Sequence, residues 1–155
     1  MSVLAAYYYN EGKRVREIAL DEHVQMDAGR SGFCWIALQD PKAAELHALQ
    51  TTYRLHPLAI DNAMHPLCPP KLEVYNDELY IVTQTAELIG DQISYGKTAI
   101  FTGHNHLISV RHGHAGALGN LREQLEASTA LIGKGVDYVL RSCTALSTGI
   151  CLSLK

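Results

Sequence analysis

Two closely spaced histidine pairs offer metal-ligand chemistry in this chain: His104-Asn105-His106 and His112-Gly113-His114. Residues i and i+2 of a strand share a face, so each pair could present two imidazoles to one zinc ion. A catalytic zinc would need a third ligand and an activated water. With both, the chain would be a small zinc-dependent hydrolase. Exposed turn histidines are the favoured reading and the hydrolase the alternative, because both pairs fall at expected turns, where strand geometry is least secure. The four cysteines, Cys34, Cys68, Cys143 and Cys151, show no CxxC pairing and read as reduced thiols. Cys68 stands among prolines as an exposed thiol with no neighbour placed to activate it. The motifs GxSxG, GxxxxGK[ST], HExxH and GxGxxG do not occur. Ser31 and Ser109 have no recognisable base alongside. The expectation is a chain that is not an enzyme.

The elements that must position these groups follow from period and punctuation. Residues 3–9 read as a strand, Asn10-Glu11-Gly12-Lys13 as a hairpin turn, and 14–18 as the partner strand. Residues 21–27 read as a short helix or turn, and 33–38 as a compact apolar strand. Asp40-Pro41 has the form of an N-cap followed by proline at the first helical position, opening a helix over 43–53. His56-Pro57-Leu58 opens a second helix, since proline fixes φ for a first turn and has no N–H to waste. Pro66, Pro69 and Pro70 forbid its continuation.

Residues 71–75 alternate polar and apolar as a half-buried strand does, and Asn76-Asp77 is turn chemistry. A long strand over 79–88, a turn at Gly90-Asp91 and a second long strand over 92–101 come next. A turn over 103–105, a strand over 106–111 and a loop over 113–116 follow. Leu118, Leu121 and Leu125 give 118–127 a helical stripe, and 136–140 starts another helix. Strands cluster on both sides of a helical pair, and a helical section closes the domain. The expected class is α/β, a mixed β-sheet flanked by helices.

Size and composition agree. A chain of 155 residues is one domain, long enough for a real core. At 47% hydrophobic and 19% charged it is globular in composition. The net charge of -3 gives no reason to expect nucleic acid. The opening MSVLAAYYYNEGKR lacks the form of a signal peptide. No window reaches the roughly 18–20 apolar residues that a membrane helix needs. The nearest, 142–154, is short and is broken by Gly149 and several hydroxyl residues.

The stretch from His56 to Val82, HPLAIDNAMHPLCPPKLEVYNDELYIV, carries a signal that spans three elements. It resembles the soluble cytoplasmic domain of the CorA family of magnesium and cobalt transporters. That family reads roughly H-P-L-A-V-E-D-A, then H-x-x-Q-R-P-K-x-E-x-Y, then an apolar strand. The matching residues are His56, Pro57, Leu58, Ala59, Asp61, Ala63, His65, Pro70, Lys71, Glu73 and Tyr75. Asn62 stands where an acid is usual, and Cys68-Pro69 where Gln-Arg is usual. Weaker matches are Phe33-Cys34-Trp35-Ile36-Ala37-Leu38 before Asp40-Pro41, and the words Ala99-Ile100-Phe101 and His106-Leu107-Ile108-Ser109-Val110-Arg111. The resemblance covers about residues 3–140, so the domain is expected over 1–140.

The resemblance implies an α/β/α sandwich on the cytoplasmic side of a membrane. It implies a regulatory, metal-sensing role in a divalent cation transporter, with Mg2+ or Co2+ as the ion. Family members are pentamers whose regulatory ions sit between neighbouring soluble domains and screen acidic residues from one another. One such acid lies in the loop after the strand that begins here at Leu79. Glu87 and Asp91 are the candidates, although Ile89 is closest to the usual position by count. A solvated hairpin end is the alternative reading of both. Asp61, Lys71 and Glu73 are better read as structural, and Trp35 and Tyr75 as core or edge aromatics. The family conducts through membrane helices bearing a Gly-Met-Asn signature that this chain does not carry. The expectation is a truncated chain, not competent for transport alone, and a monomer or weak dimer. A non-functional remnant is the further alternative.

Residues 141–155 depart from the pattern. The family continues there roughly as L-x-x-L-V-D-x-Y-x-P-V-x-E, whereas this chain reads RSCTALSTGICLSLK. Codons exist for this segment that, read one frame over, give FLHRLVDRYLPVVE. The last two bases of each shifted codon are the first two of a present codon, so only wobble bases are free. The match points to a frame shift near Arg141, natural or in the clone. A divergent but genuine C-terminus is the alternative. Under the first reading, Cys143 and Cys151 carry no selected function, and the segment was never patterned for a face.

Overall fold

The computed structural model describes residues 3–24, 32–65 and 69–113, together with Ala127 and Leu140. Seven strands and two helices are formed by these residues. They are β1 (Val3–Asn10), β2 (Lys13–Glu17), β3 (Phe33–Gln39), α1 (Ala43–Tyr53), α2 (Pro57–Met64), β4 (Lys71–Tyr75), β5 (Glu78–Ile89), β6 (Gln92–Thr102) and β7 (His106–Gly113). The strands make one sheet in the order β2-β1-β3-β7-β6-β5-β4. Only the β3–β7 pair is parallel, with Ile36 opposite Ile108, and the other pairs are antiparallel. The sheet is therefore mixed, and the fold is α/β as the sequence leads one to expect.

Tight turns set the antiparallel registers. Glu11 (φ 52°) and Gly12 (φ 79°) both take positive φ, the requirement of a two-residue hairpin turn that matches strand twist. Asn10 then pairs with Lys13. Gly90 (φ 62°) plays the same part where Ile89 pairs with Gln92.

The helices α1 and α2 connect β3 to the far edge of the sheet, and they pack on one face of it. Leu46, Leu49, Leu55, Ala59, Ile60 and Ala63 form a continuous core with Ile36, Leu38, Tyr80, Val82, Ala99, Phe101, Ile108 and Val110. Those strand residues alternate along β3, β5, β6 and β7, so one register places them all on the helical side. The opposite face is also apolar and buried at Tyr9, Phe33, Trp35, Ile100 and Leu107, with the Tyr9 and Phe33 rings stacked 5.3 Å apart. Burial on both faces explains why β3 reads as an unbroken apolar run.

Two expectations require correction. Asp40 does not cap α1. Its amide donates to Arg111 O at 2.8 Å, extending the β3–β7 pairing, and its φ of 44° turns the chain before Lys42 takes the N-cap position. The Lys42 amide donates to Glu45 Oε1 at 3.2 Å. In strand β4 the alternation is real but its apolar side faces outward: Leu72 and Val74 are 64% and 69% exposed. Its polar side is the one that meets the rest of the molecule. Of 21–27, expected as a short helix or turn, residues 21–24 are described, and the turn is what they hold, at Leu20 and Asp21. The expected helices at 118–127 and 136–140 lie outside the described residues, apart from their final residues. The loop after Gly113 and the segment 141–155 lie outside them as well.

Candidate functional site

Four residues of the motif, His56, Lys71, Glu73 and Tyr75, meet at one junction. His56 caps α2, and its Nδ1 accepts the Leu58 amide at 3.2 Å, with Pro57 in the first helical position. That bond needs a lone pair on Nδ1, so the ring proton of the neutral form sits on Nε2. The imidazole stacks on Tyr75, with centroids 4.1 Å apart and planes 14° from parallel. Tyr75 OH donates to Glu73 Oε2, and Glu73 Oε1 pairs with Lys71 Nζ at 3.0 Å. Lys71, Glu73 and Tyr75 sit at i, i+2 and i+4, so one strand face presents all three. The Lys71 ammonium also lies 5.9 Å from the Tyr80 ring centroid. The motif is thus a clasp between the start of α2 and the edge strand β4. Asp61 is exposed on α2.

The other end of α2 is held by two residues that the sequence did not single out for that task. Lys97 Nζ donates to Asn62 O at 2.7 Å and also to His65 O. His112 Nε2 lies 2.5 Å from Ala63 O. Lys97 and His112 are cross-strand partners on β6 and β7. They supply donors to the terminal carbonyls of the helix, where its dipole favours positive charge. A lysine inside the apolar run Gly96 to Phe101 was the available signal.

Among the described residues, the histidines of the two H-x-H pairs are not brought together as a metal site. His106 and His112 stand at opposite ends of β7, about 20 Å apart at strand rise. His104 is exposed in the preceding turn, while the His106 ring lies 5.2 Å from the Tyr53 ring and its Nε2 is 3.3 Å from Glu78 Oε1. The His106 ring crosses the position of Gly103, where an added Cβ would come within 2.5 Å of it. His114 lies outside the described residues. Among the described residues no three His, Cys, Asp or Glu side chains are grouped to hold an ion.

Glu87 and Asp91 share one hairpin end. The Glu87 backbone pairs with Ser94 near the end of β5, and Asp91 is exposed in the turn after Gly90. The Glu87 side chain lies outside the described part. Around Asp91 the turn is open and the apolar residues Leu88, Ile89, Ile93 and Tyr95 are exposed. Asp91 is a hard oxygen donor in the open, so this chain would supply only part of an ion's shell there, with water or a second copy supplying the rest.

Cys34 is fully buried, and burial pushes its thiol up from the ordinary range. Burial raises the neighbouring Tyr53 hydroxyl in the same way. At the surface, Arg16 and Glu22 pair at 2.5 Å, which lowers the Glu22 carboxyl and raises the Arg16 guanidinium.

The family model described as "CorA-like Mg2+ transporter protein" matches residues 30–145. This chain belongs to that CorA-like family. The YfjQ protein of Bacillus subtilis (strain 168) is 24% identical to it over 105 residues, 68% of this chain and 32% of YfjQ. The full-length CmaX protein superposes with a TM-score of 0.73 at 18% identity, over 99% of this chain and 47% of CmaX. The soluble domain of CorA from Methanocaldococcus jannaschii gives 0.64 at 19% identity, over 92% of this chain and 55% of that one. The ZntB cytoplasmic domain from Vibrio parahaemolyticus RIMD 2210633 gives 0.60 at 12% identity, over 83% and 51%. The CorA-like fold expected from the His56–Tyr75 motif is therefore the fold observed. The chain spans about a third of YfjQ and about half of the solved relatives. Among the described residues, no helix is long and apolar enough to cross a membrane.

Proposed function

We propose that this chain is a regulatory, metal-sensing domain of a CorA-like divalent cation transporter, placed on the cytoplasmic side. Mg2+ is the sensed ion, with Co2+ as an alternative, and Glu87 and Asp91 supply carboxylate oxygens. Membership of the CorA-like family carries the reading, and the exposure of Asp91 at the hairpin end supports the choice of residues. Mg2+ keeps several waters and binds through one or two carboxylates, so a sparse acidic edge suits an ion shared between two copies. Such an ion would screen like charges across the contact and hold domains together, which in a whole transporter favours the closed pore. The role is binding, not catalysis: His106 and His112 are committed to Glu78, Tyr53 and the end of α2. The domain extends to residue 140, and 141–155 is the product of a shifted frame.

The test is the mass of the chain in solution, by light scattering, with and without millimolar Mg2+. A monomer or weak dimer is expected without the ion and a larger assembly with it. The joint change Glu87→Ala and Asp91→Ala should abolish the increase. No increase, or one that survives the double change, would overturn the assignment of these carboxylates.

A further inference from the structure

We draw no further inference here: the strongest candidate, the exposed apolar face that Leu88, Ile93 and Tyr95 form on the outer end of the β5–β6 hairpin, carries nothing, because nothing in the structure shows what covers it.

Discussion

At His56, one imidazole both caps α2 and stacks on Tyr75. His56→Ala removes both the cap on α2 and the stack on Tyr75, and is expected to cost about 1–3 kcal/mol in urea unfolding. Tyr75→Phe keeps the stack and loses only the bond to Glu73, so it should cost no more than about 1 kcal/mol. A cost for His56→Ala below about 0.5 kcal/mol would mean that neither the cap nor the stack contributes. Cys34 offers a second test at this scale. Its raised thiol holds a proton at neutral pH, so alkylation should be slow in the native chain and fast in urea, read at that cysteine by mass spectrometry. The sign follows: the neutral thiol is favoured in the folded state, so its contribution is complete below the ordinary thiol range and is lost as pH rises above it. For Glu22 the sign reverses, since its lowered carboxyl contributes above the ordinary carboxylate range and less as pH falls. The words of the motif were legible from His56 to Tyr75, but the stack was not. A one-dimensional pattern cannot show that a helix start and an edge strand meet.

Gly103 and Lys97 show how whole elements depend on one position. Glu78, Gly103 and His106 lie in a row across β5, the β6–β7 turn and β7. The missing side chain at Gly103 is what lets His106 reach Glu78. Gly103→Ala is expected to displace the His106 ring, separating it from Glu78 and loosening it against Tyr53. A crystal structure of the variant with that ring unmoved would refute the account. Lys97→Met removes the ammonium from the Asn62 and His65 carbonyls, of which Asn62 O keeps the His65 amide, at a cost of about 1–3 kcal/mol. The urea midpoint should fall with an unchanged slope, as expected when stability changes and compactness does not. Element existence was legible because hairpin turns such as Asn10 to Lys13 and Ile89 to Gln92 announce themselves locally. Element orientation was not. In β4 the alternation of Lys71 to Tyr75 fixes which residues share a face. It does not say that the polar face would find His56 and Tyr80 while Leu72 and Val74 stayed in solvent. The Asp40-Pro41 pair misled for a related reason. It has the chemistry of a cap, but β3–β7 pairing claims the Asp40 amide first.

For the molecule as a whole, the mixed sheet was readable because the β3–β7 pairing needs a crossover, and two helical segments between apolar strands supply one. The proposed ion site was less readable, since an ion shared between copies would leave only a fraction of its ligands on any one chain. The tail is where sequence argument reaches furthest beyond the described fold. If 141–155 is a shifted reading, replacing it with the in-frame FLHRLVDRYLPVVE restores an apolar pattern suited to a helix face, which RSCTALSTGICLSLK lacks. Stabilisation by about 1–2 kcal/mol from two or three side chains becoming partly buried would raise the melting temperature by about 3–6 °C for a chain of this size. The comparison should be made at matched concentration, with and without Mg2+, because association also raises the melting temperature by mass action. A gain without Mg2+ means that the restored segment completes the domain's own core. An equal or lower melting temperature means that the present residues already suit their place, and the shifted frame is then wrong.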